Sequence, residues 1–351
     1  ISSKDGLVDQ ISFFNKTVAS KDMSGYYLLL KGEFAYNKSY SVGYDFGSIK
    51  RLERYPMGAL STLYICFALK KYNGDFIKTY FDSLKWYKEI YMISAEGARN
   101  HGLLNVPTDE FFDTFHYITE SKAEQEKIAK LLALIEQRIQ KQQALVDNLK
   151  KYKRGLLQAI FTREVQLENS SNWEHRLFSE IASLGKGKYA PKQEETLPCI
   201  ELEHIEQQTG QIIGYANSKE QNSVKSLFHK GDVLFGKLRP YLRKFALPEY
   251  DGVCSSEIWV LHPEANIDSA FLFYLIQSES FIAAANISSG TKMPRAEWSK
   301  VSSESFFIPE LTEQKRIAEL FGAIDKRIVN ASRSADEMQS LKQGLLQQLF
   351  I

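Results

Sequence analysis

Cysteine is scarce in this 351-residue chain: Cys66, Cys199 and Cys254 are scattered, with no CxxC and no even pairing. That excludes a disulfide framework and points to a reduced, cytoplasmic chain. No apolar run approaches the roughly 20 residues of a membrane-spanning helix. No signal peptide is visible, so no membrane partner is expected. An excess of one charge is absent too. Lys and Arg number 44 against 43 Asp and Glu, a net charge of +1. Nucleic-acid contact must then come from local basic clusters rather than from a global field. Signatures of catalysis are also missing: there is no Asn-Pro-Pro-Tyr, no Walker A and no HExxH. The 6 histidines are isolated, and His204 has no ligand partner at zinc spacing. No catalytic residue, metal site or cofactor is therefore assigned to this chain.

Proline is sparse as well, and none interrupts two long stretches. Residues 124–161 read EQEKIAKLLALIEQRIQKQQALVDNLKKYKRGLLQAIF, and residues 313–350 read EQKRIAELFGAIDKRIVNASRSADEMQSLKQGLLQQLF. One constant offset, residue 124 to residue 313, aligns them without a gap. It takes Gln125 to Gln314, Ile128 to Ile317, Arg138 to Arg327, Gly155 to Gly344 and Phe161 to Phe350. A duplicated unit governs every later reading. In the first copy Ile128, Leu132, Ile135, Ile139, Gln142, Val146, Leu149, Lys153, Leu156 and Ile160 step by four and three. In the second the equivalents are Ile317, Phe321, Ile324, Ile328, Ala331, Ala335, Met338, Lys342, Leu345 and Leu349. A 3.5-residue repeat keeps one stripe facing a partner helix, as in a coiled coil. Two ordinary amphipathic helices packed separately on globular domains are the alternative. The unbroken seam, with Lys153 and Lys342 at the same step, favours the paired arrangement.

The rest of the chain repeats as well. Residues 1–118 read as an α+β globule, with strands at Tyr26–Leu30, Phe34–Tyr36 and Leu60–Phe67 and a helix over Asp75–Tyr91 capped by Asp75. Ser121 and Glu124 form a capping box for the first long helix. Residues 119–161 are that helix, 162–172 a polar linker, 173–308 a second globule, and 309–351 the second helix. KGDVLF (Lys230–Phe235) answers KGEFAY (Lys31–Tyr36), and CSSEIWV (Cys254–Val260) answers LSTLYIC (Leu60–Cys66). The expected helix Asp268–Ala285 answers Asp75–Tyr91, and MPRAEW (Met293–Trp298) answers VPTDEF (Val106–Phe111). The first globule has no counterpart to Trp173–Cys199, so its N-terminal part is expected to be missing. The ends of a compact globule lie close together, so the two helices should run antiparallel, each on the order of 57 Å long at 1.5 Å per residue. The expectation is an α+β chain of two similar globules held apart by an antiparallel intramolecular coiled coil with pseudo-two-fold symmetry.

This order, with PELTEQKRIAELFGAID at Pro309–Asp325 and GLLQQLF at Gly344–Phe350, resembles the specificity subunits of type I restriction-modification systems. Trp173–Leu177, KGDVLFGKLRPYLRK at Lys230–Lys244 and the Ser289–Trp298 segment resemble their target recognition domains more loosely. The resemblance implies that each globule reads one half of a bipartite site in double-stranded DNA. It implies that the helices dock two modification subunits, adenine methyltransferases that bind S-adenosylmethionine, and that restriction subunits join that core. This chain would be a non-catalytic subunit. The alternative is a structural adaptor whose coiled coil joins two protein-binding heads.

Candidate DNA contacts follow from basic and aromatic groups on loops. Phosphate oxygens want Lys and Arg, and bases want bidentate or stacking partners. The best cluster is Lys237, Arg239, Tyr241, Arg243 and Lys244, around Pro240; its first two cations are read as phosphate or scaffold contacts. The glycine-rich run Gly185–Lys192 offers Lys186, Lys188 and Tyr189, and it is not a P-loop because Tyr189 replaces Ser/Thr. Thr291, Lys292 and Arg295 form a third group. In the first globule the analogues are Lys38, Tyr40, Lys50, Arg51 and Arg54, with Arg99, Asn100 and His101. A solvated loop or face is the plain alternative for each.

Overall fold

The computed structural model describes residues 2–3, 5–15, 22–94, 102–168, 170, 172–190, 196–287 and 293–350. The chain divides into two units, residues 1–144 with 332–351, and residues 145–331. Each unit therefore takes in one part of both long helices.

The first unit contains α1 (Gln10–Phe14), β1 (Tyr27–Leu30), β2 (Phe34–Asn37), β3 (Ser48–Arg51), β4 (Met57–Leu60), β5 (Ile65–Phe67), α2 (Gly74–Asp82), α3 (Tyr87–Ile93), α4 (Thr108–Phe112) and the start of α5 (Lys122–Phe161). Its strands form a β1–β4 pair and a sheet of order β3-β2-β5. The expected strand Leu60–Phe67 is split, because Tyr64 N–H bonds back to Ser61 and makes a turn between β4 and β5. The expected helix Asp75–Tyr91 is likewise two helices. Asn73, not Asp75, caps the first, its side chain accepting from the Asp75 and Phe76 N–H groups. The break follows from Trp86, which is fully buried and donates its indole N–H to the Phe81 carbonyl at 2.9 Å. Turning that ring inward puts Leu84 in the left-handed region. At the start of α5, Ser121 accepts from Glu124 N–H. The Glu124 carboxylate takes the Thr119 hydroxyl at 2.6 Å rather than completing the capping box on Ser121.

The second unit contains β6 (Glu174–Leu177), β7 (Ala182–Leu184), β8 (Lys188–Tyr189), β9 (Pro198–Ile200), β10 (Ala216–Asn217), β11 (Lys225–Phe228), β12 (Val233–Gly236), β13 (Phe245–Ala246), β14 (Gly252–Cys254) and β15 (Ile258–Pro263). Then come α6 (Ser269–Leu275), α7 (Glu279–Ala285), α8 (Trp298–Val301), β16 (Ser305–Ile308) and the start of α9 (Leu311–Leu349), whose end lies in the first unit. Its sheets have the orders β10-β9-β14-β11-β8, β13-β12-β15-β7 and β16-β6. The expected helix Asp268–Ala285 is also two. Asp268 caps α6 through Phe271 N–H, and Ser278 starts α7 by accepting from Phe281 N–H.

Both units build their frames alike. The β1–β4 and β11–β14 pairs correspond, as do β3-β2-β5 and β13-β12-β15. The turn into β2 has Gly32 at φ 97°, and the turn into β12 has Gly231 at φ 97°, a conformation that glycine adopts without a Cβ penalty. Glu33 caps Leu30 N–H, and Asp232 caps His229 N–H. Gln125 accepts from Asn73 N–H at 2.9 Å; its repeat mate Gln314 accepts from Asp268 N–H at 2.8 Å. In each unit a glutamine of a long helix thus holds the cap of a globule helix.

The long helices enter the cores through their seams and the apolar residues beside them. Every seam position named above is buried or half-buried. In the first unit Leu132 and Leu346 join Phe34, Tyr36 and Trp86, and Phe350 packs 5.5 Å from Phe76. In the second, Leu157, Ile160 and Phe321 join Phe178, Phe235 and Phe281, and Phe161 packs 5.7 Å from Phe271. No helix among the described residues is long and apolar enough to cross a membrane.

Candidate DNA interface

In the second unit the loop between β12 and β13 is built from backbone. Gly236 begins it. A Cβ there would lie 2.9 Å from the Leu202 side chain and 3.2 Å from Lys244 Cβ, so glycine lets the two loop ends close. Gly236 N–H donates to Lys244 O at 2.8 Å, and Lys237 N–H to Glu257 O at 2.9 Å. A second segment clasps the loop: Arg239 N–H donates to Pro294 O at 2.8 Å, and Ala296 N–H to Lys237 O at 2.8 Å. A third adjoins it, since Gln208 N–H donates to Arg243 O at 2.9 Å. Arg239 (φ 51°) and Arg243 (φ 53°) flank the turn Pro240–Leu242, both left-handed. Non-glycine residues hold that conformation only where surrounding bonds impose it.

The five residues of this loop have different roles. Arg239 and Tyr241 are exposed and Lys237 is half-buried, and their side chains have no partner among the described residues. Arg243 pairs with the Glu279 carboxylate and donates to Gln277 O. Lys244 donates to Leu202 O. Those two side chains brace the loop from within. Arg295 lies beside the loop, its Nε 2.9 Å from Glu257; that pairing raises its pKa. Thr291 and Lys292 fall outside the described residues.

Lys186 and Lys188 are exposed, with Lys188 Nζ 3.3 Å from Ser226 Oγ. Tyr189 departs from expectation. Its ring is 1% exposed and its hydroxyl bonds Ser218 Oγ at 3.0 Å, because β8 turns alternate side chains to opposite faces. It belongs to a core with Cys199 and Val253.

The first unit repeats the clasp. Leu104 N–H donates to Lys38 O at 3.0 Å, and Tyr40 N–H to Gly102 O at 2.7 Å. Tyr40 is exposed and Lys38 half-buried. Lys50 and Arg51 are instead tied inward: Lys50 to Asp82 at 2.9 Å, Arg51 to Glu53 at 2.7 Å and to Asp75 at 2.6 Å. Burial works against the Arg51 cation, yet its two carboxylates raise its pKa. Both cations are thus paired within the unit. Arg54 is exposed; Arg99, Asn100 and His101 lie outside the described residues.

The sequence reading passed over the hairpin around the Ile205–Ile212 bridge, where Gln207, Gln208, Gln211, Ile213 and Tyr215 are exposed. It has no basic residue, and basicity was the criterion; its signal was the turn run Thr209-Gly210 between Ile205 and Ile212. Among the described residues no cluster of His, Cys, Asp and Glu could hold a metal. Burial pushes the Cys199 thiol up to about 11 and raises Cys66 and Cys254 too, so none is a ready thiolate at neutral pH.

Residues 170–335 match the type I restriction modification DNA specificity domain. The chain is 27% identical over 187 residues to the type I restriction enzyme EcoDI specificity subunit of Escherichia coli, covering 51% of this chain and 42% of that protein. It is 24% identical over 257 residues to the MjaVIII specificity subunit of Methanocaldococcus jannaschii, covering 65% and 59%. It is 30% identical over 135 residues to the HindI specificity subunit of Haemophilus influenzae, covering 36% and 29%. The chain thus spans 59% or less of the length of each of these relatives. A chain solved in work on complex assembly and conformational transition of the type I R-M system superposes with a TM-score of 0.59 at 15% identity, covering 93% of this chain and 84% of that one. The S subunit of a type I system from M. genitalium gives 0.53 at 15% identity, covering 92% and 84%. At that identity the structural likeness establishes the fold.

Proposed function

We propose that this chain, a relative of the type I restriction-modification specificity subunits, reads two halves of a double-stranded DNA site with its two units. The observation that carries the reading is the repeated clasp: Lys38 and Tyr40 in one unit and Lys237 and Arg239 in the other, set by equivalent backbone bonds. Two similar surfaces on one chain suit a bipartite site, as two half-site readers suit a dimeric operator. Arg239, Lys237, Lys186 and Lys188 contact phosphates. Tyr241, Tyr40 and the neutral Gln207–Tyr215 hairpin face bases, where amides and rings carry sequence information.

The long helices form an antiparallel strut with approximate two-fold symmetry. The repeat supports this: its offset converts the Lys153–Asp325 ion pair into the Lys342–Glu136 pair. The strut docks two modification subunits, which carry S-adenosylmethionine and perform the methyl transfer, while this chain supplies specificity and no chemistry. DNA binding should weaken steeply with salt, with a log–log slope of several units. A protein-binding adaptor would show little DNA binding at any salt, and that result would overturn the reading.

A further inference from the structure

The clasp is built alike in both units, but the side chains it carries differ. Leu238 bridges Arg295 in the second unit, and Ser39 bridges Leu103 in the first. The flanking bonds match as well. Arg239 N–H to Pro294 O and Ala296 N–H to Lys237 O correspond to Tyr40 N–H to Gly102 O and Leu104 N–H to Lys38 O. Leu103 therefore stands where Arg295 does. The motif match of MPRAEW with VPTDEF would put Thr108 there, and the backbone bonds overrule it. A turn supplies the second residue. Ile258 N–H donates to Ser255 O, and Tyr64 N–H to Ser61 O. Glu257 N–H donates to Ser255 Oγ, and Leu63 N–H to Ser61 Oγ, both at 3.4 Å. Leu63 therefore stands where Glu257 does. The second unit holds an Arg–Glu pair where the first holds two exposed leucines.

Arg295 is fixed at both ends. Its backbone is bridged into the loop, and its Nε donates to the Glu257 carboxylate at 2.9 Å. Glu257 is held in turn, since its carbonyl accepts from Lys237 N–H. The Arg295 side chain is 47% exposed, and its Nη1 and Nη2 have no partner among the described residues. A guanidinium presents its donors as a rigid planar fork. With Nε taken, the edge left over is the pair of terminal amino groups. That edge fits the O6 and N7 acceptors of guanine, the commonest specific contact to a base. A phosphate would accept the same fork, but the Glu257 carboxylate neutralises the pair and repels an anion. Leu63 and Leu103, at the matching place, have nothing to offer a phosphate and suit the methyl group of thymine.

Building on the DNA-reading proposal above, we infer that Arg295 reads a guanine in the half-site taken by the second unit, with Glu257 as its positioning residue. The first unit sets no guanine requirement at the matching place, so the two half-sites differ there.

The probe is a library of randomised duplex DNA, from which the full chain and its variants each select a motif. Affinities for the wild-type motif and for mixed-sequence DNA are measured alongside. Arg295→Lys keeps a cation beside Glu257 but loses the fork. It should abolish the guanine preference at one position of one half-site and leave every other position intact. Affinity for the wild-type motif should fall about 5- to 150-fold, while affinity for mixed-sequence DNA and the salt slope stay as they were. Arg295→Ala should lose the same guanine. Glu257→Gln should weaken the preference at that position alone. An unchanged motif in Arg295→Lys would overturn the inference. So would an Arg295→Ala variant that binds all sequences equally less well, with a salt slope lower by about 1, since that marks a phosphate contact. A Glu257→Gln variant with the wild-type preference would overturn the positioning role. A wild-type chain that selects no motif would overturn the DNA-reading proposal and this inference together, whereas a motif indifferent to Arg295 overturns this inference alone.

Discussion

Lys153 of α5 places its ammonium 2.8 Å from the Asp325 carboxylate of α9. The pair is walled in: Lys153 also donates to Gln277 Oε1 at 3.0 Å, and the Tyr274 hydroxyl donates to Asp325 at 2.9 Å. Burial lowers the Lys153 pKa even against the pull of Asp325. The repeat makes this contact twice, the other being Lys342 with Glu136 at 2.6 Å. The two lysines are 8% and 20% exposed, so the contacts differ in weight. A polar pair on an apolar seam contributes little net stability but penalises mispairing.

Lys153→Ala should therefore destabilise the second unit by about 1–3 kcal/mol, the cost of leaving the half-buried Asp325 carboxylate and the buried Gln277 amide without their donor. Lys342→Ala should cost under about 1 kcal/mol. Denaturant unfolding followed by tryptophan fluorescence checks this, since Trp173, Trp259 and Trp298 lie in the second unit and Trp86 in the first.

Gln314→Ala orphans the Asp268 N–H and the Asn266 and Pro309 carbonyls. It should cost about 1–3 kcal/mol in the second unit. Gln125→Ala should act on the first unit alone, through Asn73 N–H and Thr119 O. Unit-resolved hydrogen exchange tells the two apart.

His116, bonded to Tyr80 and Thr114, has its pKa lowered from 6.5 by burial, with Glu89 opposing. As pH falls through 6.5 the unfolded chain binds the proton first, so the first unit loses stability until the folded-state value is passed. His116→Asn should flatten this acid limb in urea melts at pH 7.5 and 5.5. An unchanged limb would assign the loss to other groups.

Arg239→Ala should weaken binding to all DNA sequences alike and reduce the salt slope by about 1. Arg243→Ala should also raise exchange across the whole 237–244 loop, because Arg243 ties it to Glu279 and Gln277. Filter binding and hydrogen exchange on both variants check this.

The repeat and the stripe along each long helix were legible in the sequence because each is a periodic or copied pattern. The breaks in the two globule helices were not. They depend on Trp86 and Ser278 finding partners in three dimensions. The internal partners of Lys50, Arg51, Arg243 and Lys244 were hidden for a like reason: a cation on a loop reads the same whether it faces solvent, a carboxylate or a carbonyl. The burial of Tyr189 was not legible because the two-residue β8 is too short to show which face each side chain takes. The Gln207–Tyr215 hairpin carried no charge and drew no notice.

The most direct test is sequencing of methylated adenines in cells making this chain with its modification partner. It should be run beside a version with four residues inserted after both Gln142 and Ala331. Four helical residues add about 6 Å, close to two base pairs at roughly 3.4 Å each. The account predicts one site of two half-sequences with a fixed spacer, lengthened by one or two base pairs in the variant. A contiguous site, or an active variant that keeps the original spacer, would contradict it.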